Sequence, residues 1–224
     1  MKATEKQPFD IDLVLARIAD AVKPYPKAAL FELAEEGYRS PFEQLLACMI
    51  SIRTYDEMTI RLSRQLFGRA RTPEAILSLT VADIDQLIYG STFHERKAAQ
   101  MREIAQIVIE RYAGSLPCQQ AELLALPGIG VKCANLILGI ACKQLVISVD
   151  VHVDRVTNRW GYVHARSPEK TMEALQQVLP ERYAVEINRL LVPFGKHICT
   201  GVRPRCSTCP VLDMCRQVGV KEHR

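Results

Sequence analysis

Apolar residues recur along this chain at intervals of three and four, the period of amphipathic helices. In "PFEQLLACMI", Phe42, Leu45, Leu46, Met49 and Ile50 share one face. "KAAQMREIAQIVIERY" sets Met101, Ile104, Ala105, Val108 and Ile109 on a second stripe. Helix starts are also marked: "SPFE" puts Ser40 at an N-cap, Pro41 at the first helical position and Glu43 where a capping box wants its carboxylate. "TPEAIL" from Thr72 and "SPEKTMEAL" from Ser167 repeat the cap-proline opening, and "TVADIDQLI" from Thr80 offers a Thr…Asp variant. One segment departs from this period. In "QLVISVDVHV", Val149, Val151 and Val153 alternate with Ser148, Asp150 and His152, a strand pattern. A single strand with no partner would be unstable, so the segment is read as an extended connection turning into a helix near Asp150. The expected fold class is all-α.

Composition narrows the class. With 224 residues, 48% hydrophobic and 24% charged, the chain can bury one good core or two modest ones and is globular rather than disordered. "MKATEKQPFDIDLVLARIAD" scatters charges where a signal peptide would be apolar, and no stretch is long and clean enough to span a bilayer. A soluble, intracellular protein is expected. The net charge of +4 is small, but its distribution is uneven: from Arg189 to Arg224 seven Lys/Arg stand against Asp213 and Glu222. That local excess of +5 leaves the rest of the chain near −1. A polyanion footprint and a merely solvated tail both account for it.

Four of the eight cysteines crowd into "CTGVRPRCSTCPVLDMC", as Cys199, Cys206, Cys209 and Cys215. The others, Cys48, Cys118, Cys133 and Cys142, are scattered, three of them in apolar helical patterns where a small buried thiol is ordinary. A disulfide framework is a poor reading for an intracellular chain of this length. Metal is better, and four thiolates on so compact a loop, with one Cys-x-x-Cys knuckle, favour an iron–sulfur cubane over zinc.

"LPGIGVK", residues 126–132, opens another helix pattern. Gly128 and Gly130 can adopt positive φ without a Cβ penalty, so the backbone can turn sharply and approach another surface. The helix N-terminus beyond them leaves N–H groups without intrahelical partners, at the positive end of the dipole, a corner that suits a phosphate. A tight helix–helix turn with no ligand fits equally well. Lys132 falls in the first turn of that helix, where the dipole disfavours a cation, a placement that points to a further role; a surface lysine touching phosphate is the plainer reading of the residue alone.

The spacing Cys-x6-Cys-x2-Cys-x5-Cys, together with "SPFEQLL", "LPGIGVKCAN" and "VDVHVDRVTNR", resembles the endonuclease III family of DNA glycosylases, with the landmarks in order from Ser40 to Cys215. The resemblance implies a two-lobed helix-hairpin-helix fold with a DNA cleft between the lobes. One lobe would be a bundle over residues 34–144 with the hairpin at about 115–137; residues 1–33 and 145–224 would form the cluster-bearing lobe. It implies a 4Fe-4S cluster on Cys199, Cys206, Cys209 and Cys215. The partner implied is double-stranded DNA containing damaged bases or abasic sites, bound by a monomer without membrane attachment, in the cytoplasm or on a bacterial nucleoid.

The same resemblance makes Lys132 a nucleophile that forms a Schiff base with C1′ of the sugar, after desolvation and positive surroundings lower its pKa. Asp150 becomes its carboxylate partner, stabilising the cationic sugar. The hairpin glycines Gly128 and Gly130 grip the backbone, and His152, Arg203 and Arg205 contact DNA, the arginines from a loop held by the cluster. Arg53 stands where a glutamine is frequent and Phe93 near a common leucine wedge, so both would fill the gap of an extruded nucleotide. A core aromatic is the plain alternative for Phe93. Together these give a bifunctional glycosylase and apurinic/apyrimidinic lyase that excises oxidised pyrimidines in base-excision repair. Its rivals are a monofunctional mismatch or uracil glycosylase, a non-catalytic iron–sulfur DNA-binding protein and a ferredoxin-like electron carrier.

Overall fold

Ser40 caps its helix as the sequence requires. Its hydroxyl accepts from the Glu43 backbone N–H, and the Glu43 carboxylate accepts from the Ser40 N–H in return. In the computed structural model, which describes residues 6–224, side-chain caps recur at Thr72, Thr80 and Ser167, the reciprocal pair at Thr80 with Asp83. Among the described residues twelve α-helices follow in chain order. They are α1 (Ile11–Val22), α2 (Ala29–Glu35), α3 (Pro41–Ser51), α4 (Asp56–Phe67), α5 (Pro73–Leu77) and α6 (Val81–Leu87). Then come α7 (His94–Tyr112), α8 (Gln120–Leu124), α9 (Val131–Ile140), α10 (Val151–Trp160), α11 (Pro168–Val178) and α12 (Glu186–His197). Short 3-10 turns sit at Glu181–Tyr183 and Cys206–Thr208. Among the described residues there is no strand, only an isolated bridge between Tyr89 and Ser91. Of the alternating "SVDVHV", residues 148–150 are an extended connection ending at Asp150, the N-cap of α10, and Val151, His152 and Val153 are already helical.

The chain divides into two compact units, Ala28–Val146 and a second made of the N-terminal residues to Lys27 with Ile147–Arg224. In the first, α3 is the hub. It packs against α2, α4, α7 and α9, and every residue from Phe42 to Ile50 is buried. Polar groups of that run are engaged in part: Gln44 Nε2 donates to the carbonyls of Tyr38 and Leu30, while its Oε1 is buried among the described residues with no hydrogen-bond partner, and Glu43 pairs with Arg71 at 2.6 Å. The boundary expected at 33/34 falls instead at 27/28. Ala29, Leu30, Phe31 and Leu33 bury the apolar face of α2, which packs against α3 and α4 and so belongs wholly to this unit.

The second unit has its own core, formed where α1 and α10 pack on α12 and α11 packs on α10. Trp160 and Phe194 are fully buried at its centre, and Phe9 stacks on Tyr162 at 5.0 Å. Residues 1–5 of the lobe expected over 1–33 lie outside the described residues.

The cysteines bring a correction. The four outside the C-terminal cluster pair as disulfides, Cys48 with Cys133 and Cys118 with Cys142. Sequence spacing hides this, because the pairs are 85 and 24 residues apart and meet only once the helices of the first unit have packed. Cys118–Cys142 closes a loop that contains α8, the following turn and α9. Removing that constraint frees the unfolded chain. Cys118→Ser with Cys142→Ser should therefore lower the unfolding free energy by about 3 kcal/mol, measured by urea denaturation of the oxidised protein.

Candidate functional site

The turn between α8 and α9 is anchored on its apolar side by Leu126 and Ile129, both buried. Gly128 carries φ +79°, and a Cβ there would lie 2.9 Å from the Gln100 side-chain amide. Gly130 behaves differently from expectation. Its φ of −102° is extended backbone open to any residue, and a Cβ would meet nothing within 4 Å. What glycine supplies here is a bare N-cap: the cap residue offers no side-chain hydrogen bond to the first turn of α9, and no acidic residue lies in that turn. A helix N-terminus of this kind suits an anion. Gln120 Nε2 donates to Asn135 Oδ1 at 2.8 Å, which ties α8 to α9 and fixes the turn. Lys132, second residue of α9, is exposed on this corner.

Arg53 and Phe93, forty residues apart in sequence, are brought together in the same unit. Both occupy the left-handed region, at φ 56° and 58°, and the Arg53 guanidinium lies 5.6 Å from the Phe93 ring centroid. Phe93 is 60% exposed, which sets aside the core-aromatic alternative. The neighbouring His94 is engaged locally, 2.5 Å from Asp85 and edge-on to Tyr89.

In the other unit, Asp150 is the N-cap of α10. Its Oδ1 accepts from the N–H groups of His152 and Val153, each at 2.9 Å, which fixes the carboxylate at the helix start. His152 packs toward α12, its Nδ1 lying 3.1 Å from Arg155 and close enough to Gly195 that a Cβ there would meet it at 2.7 Å.

Cys199, Cys206, Cys209 and Cys215 line one small cavity of about 20 Å³, walled by Phe194 and Leu212. Burial pushes the thiols of Cys199, Cys209 and Cys215 up, Cys209 to about 12, and the cysteines raise one another further. Buried thiols facing one another gain nothing by ionising unless a cationic centre sits among them. Among the described residues no three His, Cys, Asp or Glu side chains gather as they would around a single ion. A cubane instead takes its four thiolates at separate corners, so this donor set fits it. Arg203 and Arg205 are exposed on the intervening loop, Arg203 at φ 45° with Glu222 at 3.8 Å.

Residues 46–181 match the HhH-GPD superfamily of base excision DNA repair proteins. The chain is 40% identical to endonuclease III of Thermotoga maritima over 175 residues, which cover 78% of this chain and 82% of that one. It belongs to the endonuclease III family of base-excision DNA glycosylases. An Arabidopsis thaliana chloroplastic endonuclease III homolog is 43% identical over 183 residues, and there the match spans about half (48%) of the relative's length. Among solved structures, a trapped endonuclease III–DNA covalent intermediate aligns with a TM-score of 0.80 at 27% identity, covering 92% of this chain and 94% of that one. No described helix is long and apolar enough to cross a membrane.

Against this endonuclease III framework, two sets of residues were missed in the sequence. Arg155 donates to the carbonyls of Gly195 and Cys199, and Arg159 to those of Thr200 and Gly201, so two arginines of α10 hold the segment around the first cysteine of the cluster. "DRVTNRW" gives only a polar helix face. Lys97 is buried, and its ammonium donates to the carbonyls of Ile50 and Ile52. The available signal was its place beside Ala98 and Met101 on the apolar stripe of α7. Burial pushes Lys97 down to about 8 from 10.5. Between those values the unfolded chain binds the proton and the folded one sheds it, so stability rises with pH. The stability of the wild type relative to Lys97→Met should therefore increase from pH 8 to pH 10.5, read from paired denaturation midpoints.

Proposed function

We propose that this protein is a bifunctional DNA glycosylase and apurinic/apyrimidinic lyase that removes oxidised pyrimidines from double-stranded DNA. The observation that carries the reading is the placement of Lys132, one residue inside a helix whose N-terminus is capped by bare glycine and bears no acidic residue. The amine is thereby set next to a corner able to hold a phosphate. A related solved structure is a trapped covalent intermediate of endonuclease III with DNA, and a lysine is a residue type able to form one as a Schiff base.

The neutral Lys132 amine adds to C1′ while the glycosidic bond breaks and the base leaves with the bonding electrons. Loss of the amine proton and opening of the sugar give an iminium. That cation acidifies the 2′-hydrogen, whose removal expels the 3′-phosphate oxygen by β-elimination. Asp150, its Oδ1 fixed by two backbone N–H groups, supplies negative charge for the sugar cation and a relay for protons. Gly128 and Gly130 let the turn approach the backbone, a contact that positions without reading sequence. Arg53 and Phe93 fill the space left by the extruded nucleotide, and His152 is a further candidate for a DNA contact. Cys199, Cys206, Cys209 and Cys215 would hold a 4Fe-4S cluster, which when bound shapes the loop presenting Arg203 and Arg205 to phosphates.

Borohydride trapping on an abasic duplex is the deciding experiment, since only a Schiff base leaves a covalent adduct. Lys132→Ala should abolish the adduct and strand cleavage, and Asp150→Asn should lower the single-turnover rate by about 100-fold or more. Base excision without any adduct in the wild type would make the enzyme monofunctional. Arg203→Ala and Arg205→Ala should each flatten the log–log salt dependence of duplex binding by about 0.9, measured by fluorescence anisotropy over a salt series.

A further inference from the structure

Lys97 stands in the first turn of α7, the end of a helix where a cation is disfavoured, and is 4% exposed. Its ammonium compensates by crossing to the far end of α3. Nζ donates to the carbonyls of Ile50 and Ile52, each at 2.9 Å, and lies 3.4 Å from Thr54 Oγ1. No carboxylate is among its partners in the described residues. These are carbonyls that a helix C-terminus leaves without intrahelical donors, at the negative end of the α3 dipole.

The network continues outward from there. Thr54 Oγ1 also accepts from the Thr92 backbone N–H at 3.2 Å, and the Thr92 hydroxyl donates to the Arg53 carbonyl at 2.6 Å. Lys97 itself closes the first turn of α7 onto the Phe93 carbonyl. One buried ammonium thus sits under both loops whose tips are Arg53 and Phe93. Those two residues hold left-handed backbone conformations, which persist at a non-glycine only where the surroundings over-determine them. An apolar side chain of similar length would fill the volume of Lys97 but leave the Ile50 carbonyl without its donor and the Ile52 carbonyl with only the Thr54 hydroxyl, at 3.3 Å.

We propose that Lys97 is a positioning residue for strand invasion: by clamping the end of α3 to α7, and through Thr54 and Thr92 the two loops to each other, it holds Arg53 and Phe93 as a single preassembled wedge. This rests on the assignment above of Arg53 and Phe93 as the gap-filling pair. A wedge already assembled spares the ordering of two flexible loops at the moment a nucleotide is extruded.

The test compares wild type, Lys97→Met and Thr92→Val on two substrates. One is a duplex carrying an oxidised pyrimidine, where the nucleotide must be driven out of the stack. The other is a single-stranded oligonucleotide with an abasic site, where it need not be. Lys97→Met should slow the duplex reaction by about 10- to 100-fold while borohydride trapping on the single strand stays within about twofold of wild type. Thr92→Val should show the same selectivity at smaller size. In an Arg53→Ala, Phe93→Ala background, Lys97→Met should add no further loss on the duplex, because a residue acting through the wedge has nothing left to position. Equal losses on both substrates, or a full additional loss in that background, would overturn the proposal. Should Lys97→Met fail to fold, Thr92→Val decides, and an unchanged duplex rate for it counts against the clamp. A 2-aminopurine opposite an abasic site reads gap filling by fluorescence without chemistry. A wild type that never forms the adduct would thus overturn the lyase reading alone, while a wedge signal unchanged in Lys97→Met would overturn this one.

Discussion

The burial of α3 is the constraint on which the 28–146 unit depends. A helix enclosed on every side must satisfy its polar groups within the protein, and each end of α3 does so differently. Its start is closed by the reciprocal bonds of Ser40 and Glu43, with Arg71 neutralising the buried carboxylate. Its end is closed by the ammonium of Lys97, borrowed from α7. Its flank receives α9, the helix that carries Lys132. Each candidate residue of this unit is therefore referred to one rigid element: the hairpin through the α3–α9 contact, and the Arg53–Phe93 pair through the closure of the α3 C-terminus.

The other unit solves a comparable problem with arginines. The segment from Cys199 to Cys215 has little regular structure to satisfy its carbonyls, and α10 supplies the donors. Arg155 and Arg159 together reach the carbonyls of Gly195, Cys199, Thr200 and Gly201. The chain after Cys215 adds to this: Arg224 N–H donates to the Pro204 carbonyl, and Val218 N–H to that of Arg159. The helix whose N-cap is Asp150 is thus the same helix that holds the cysteine loop from behind. The carboxylate position and the cysteine segment share a single support, anchored by the buried ring of Trp160.

Both units place charge at helix ends, with opposite use. At α9 the positive end is left bare, with glycine where a capping side chain would normally stand. At α10 the positive end is occupied by Asp150 itself, so its cap bonds and its proposed chemistry draw on one carboxylate. A helix N-terminus can bind an anion from outside or be satisfied by a side chain from within, and the residue at the cap decides which.

How much of this was legible in the sequence depends on how local the cause is. Capping boxes, apolar stripes, the Gly128 turn and the four-cysteine spacing are written in contiguous residues, because each acts within a turn or two of itself. The family landmarks were legible for the same reason. The two disulfides, the meeting of Arg53 with Phe93, the reach of Lys97 to the end of α3 and the grip of α10 on the cysteine loop join residues tens of positions apart. Only the packing of helices against one another could decide them, since a lysine on an apolar stripe does not reveal which carbonyls wait opposite. Gly130 shows the boundary between the two. Its identity marked a special position, but whether glycine was needed for a positive φ or for an unobstructed cap was settled by the backbone that the folded turn adopts.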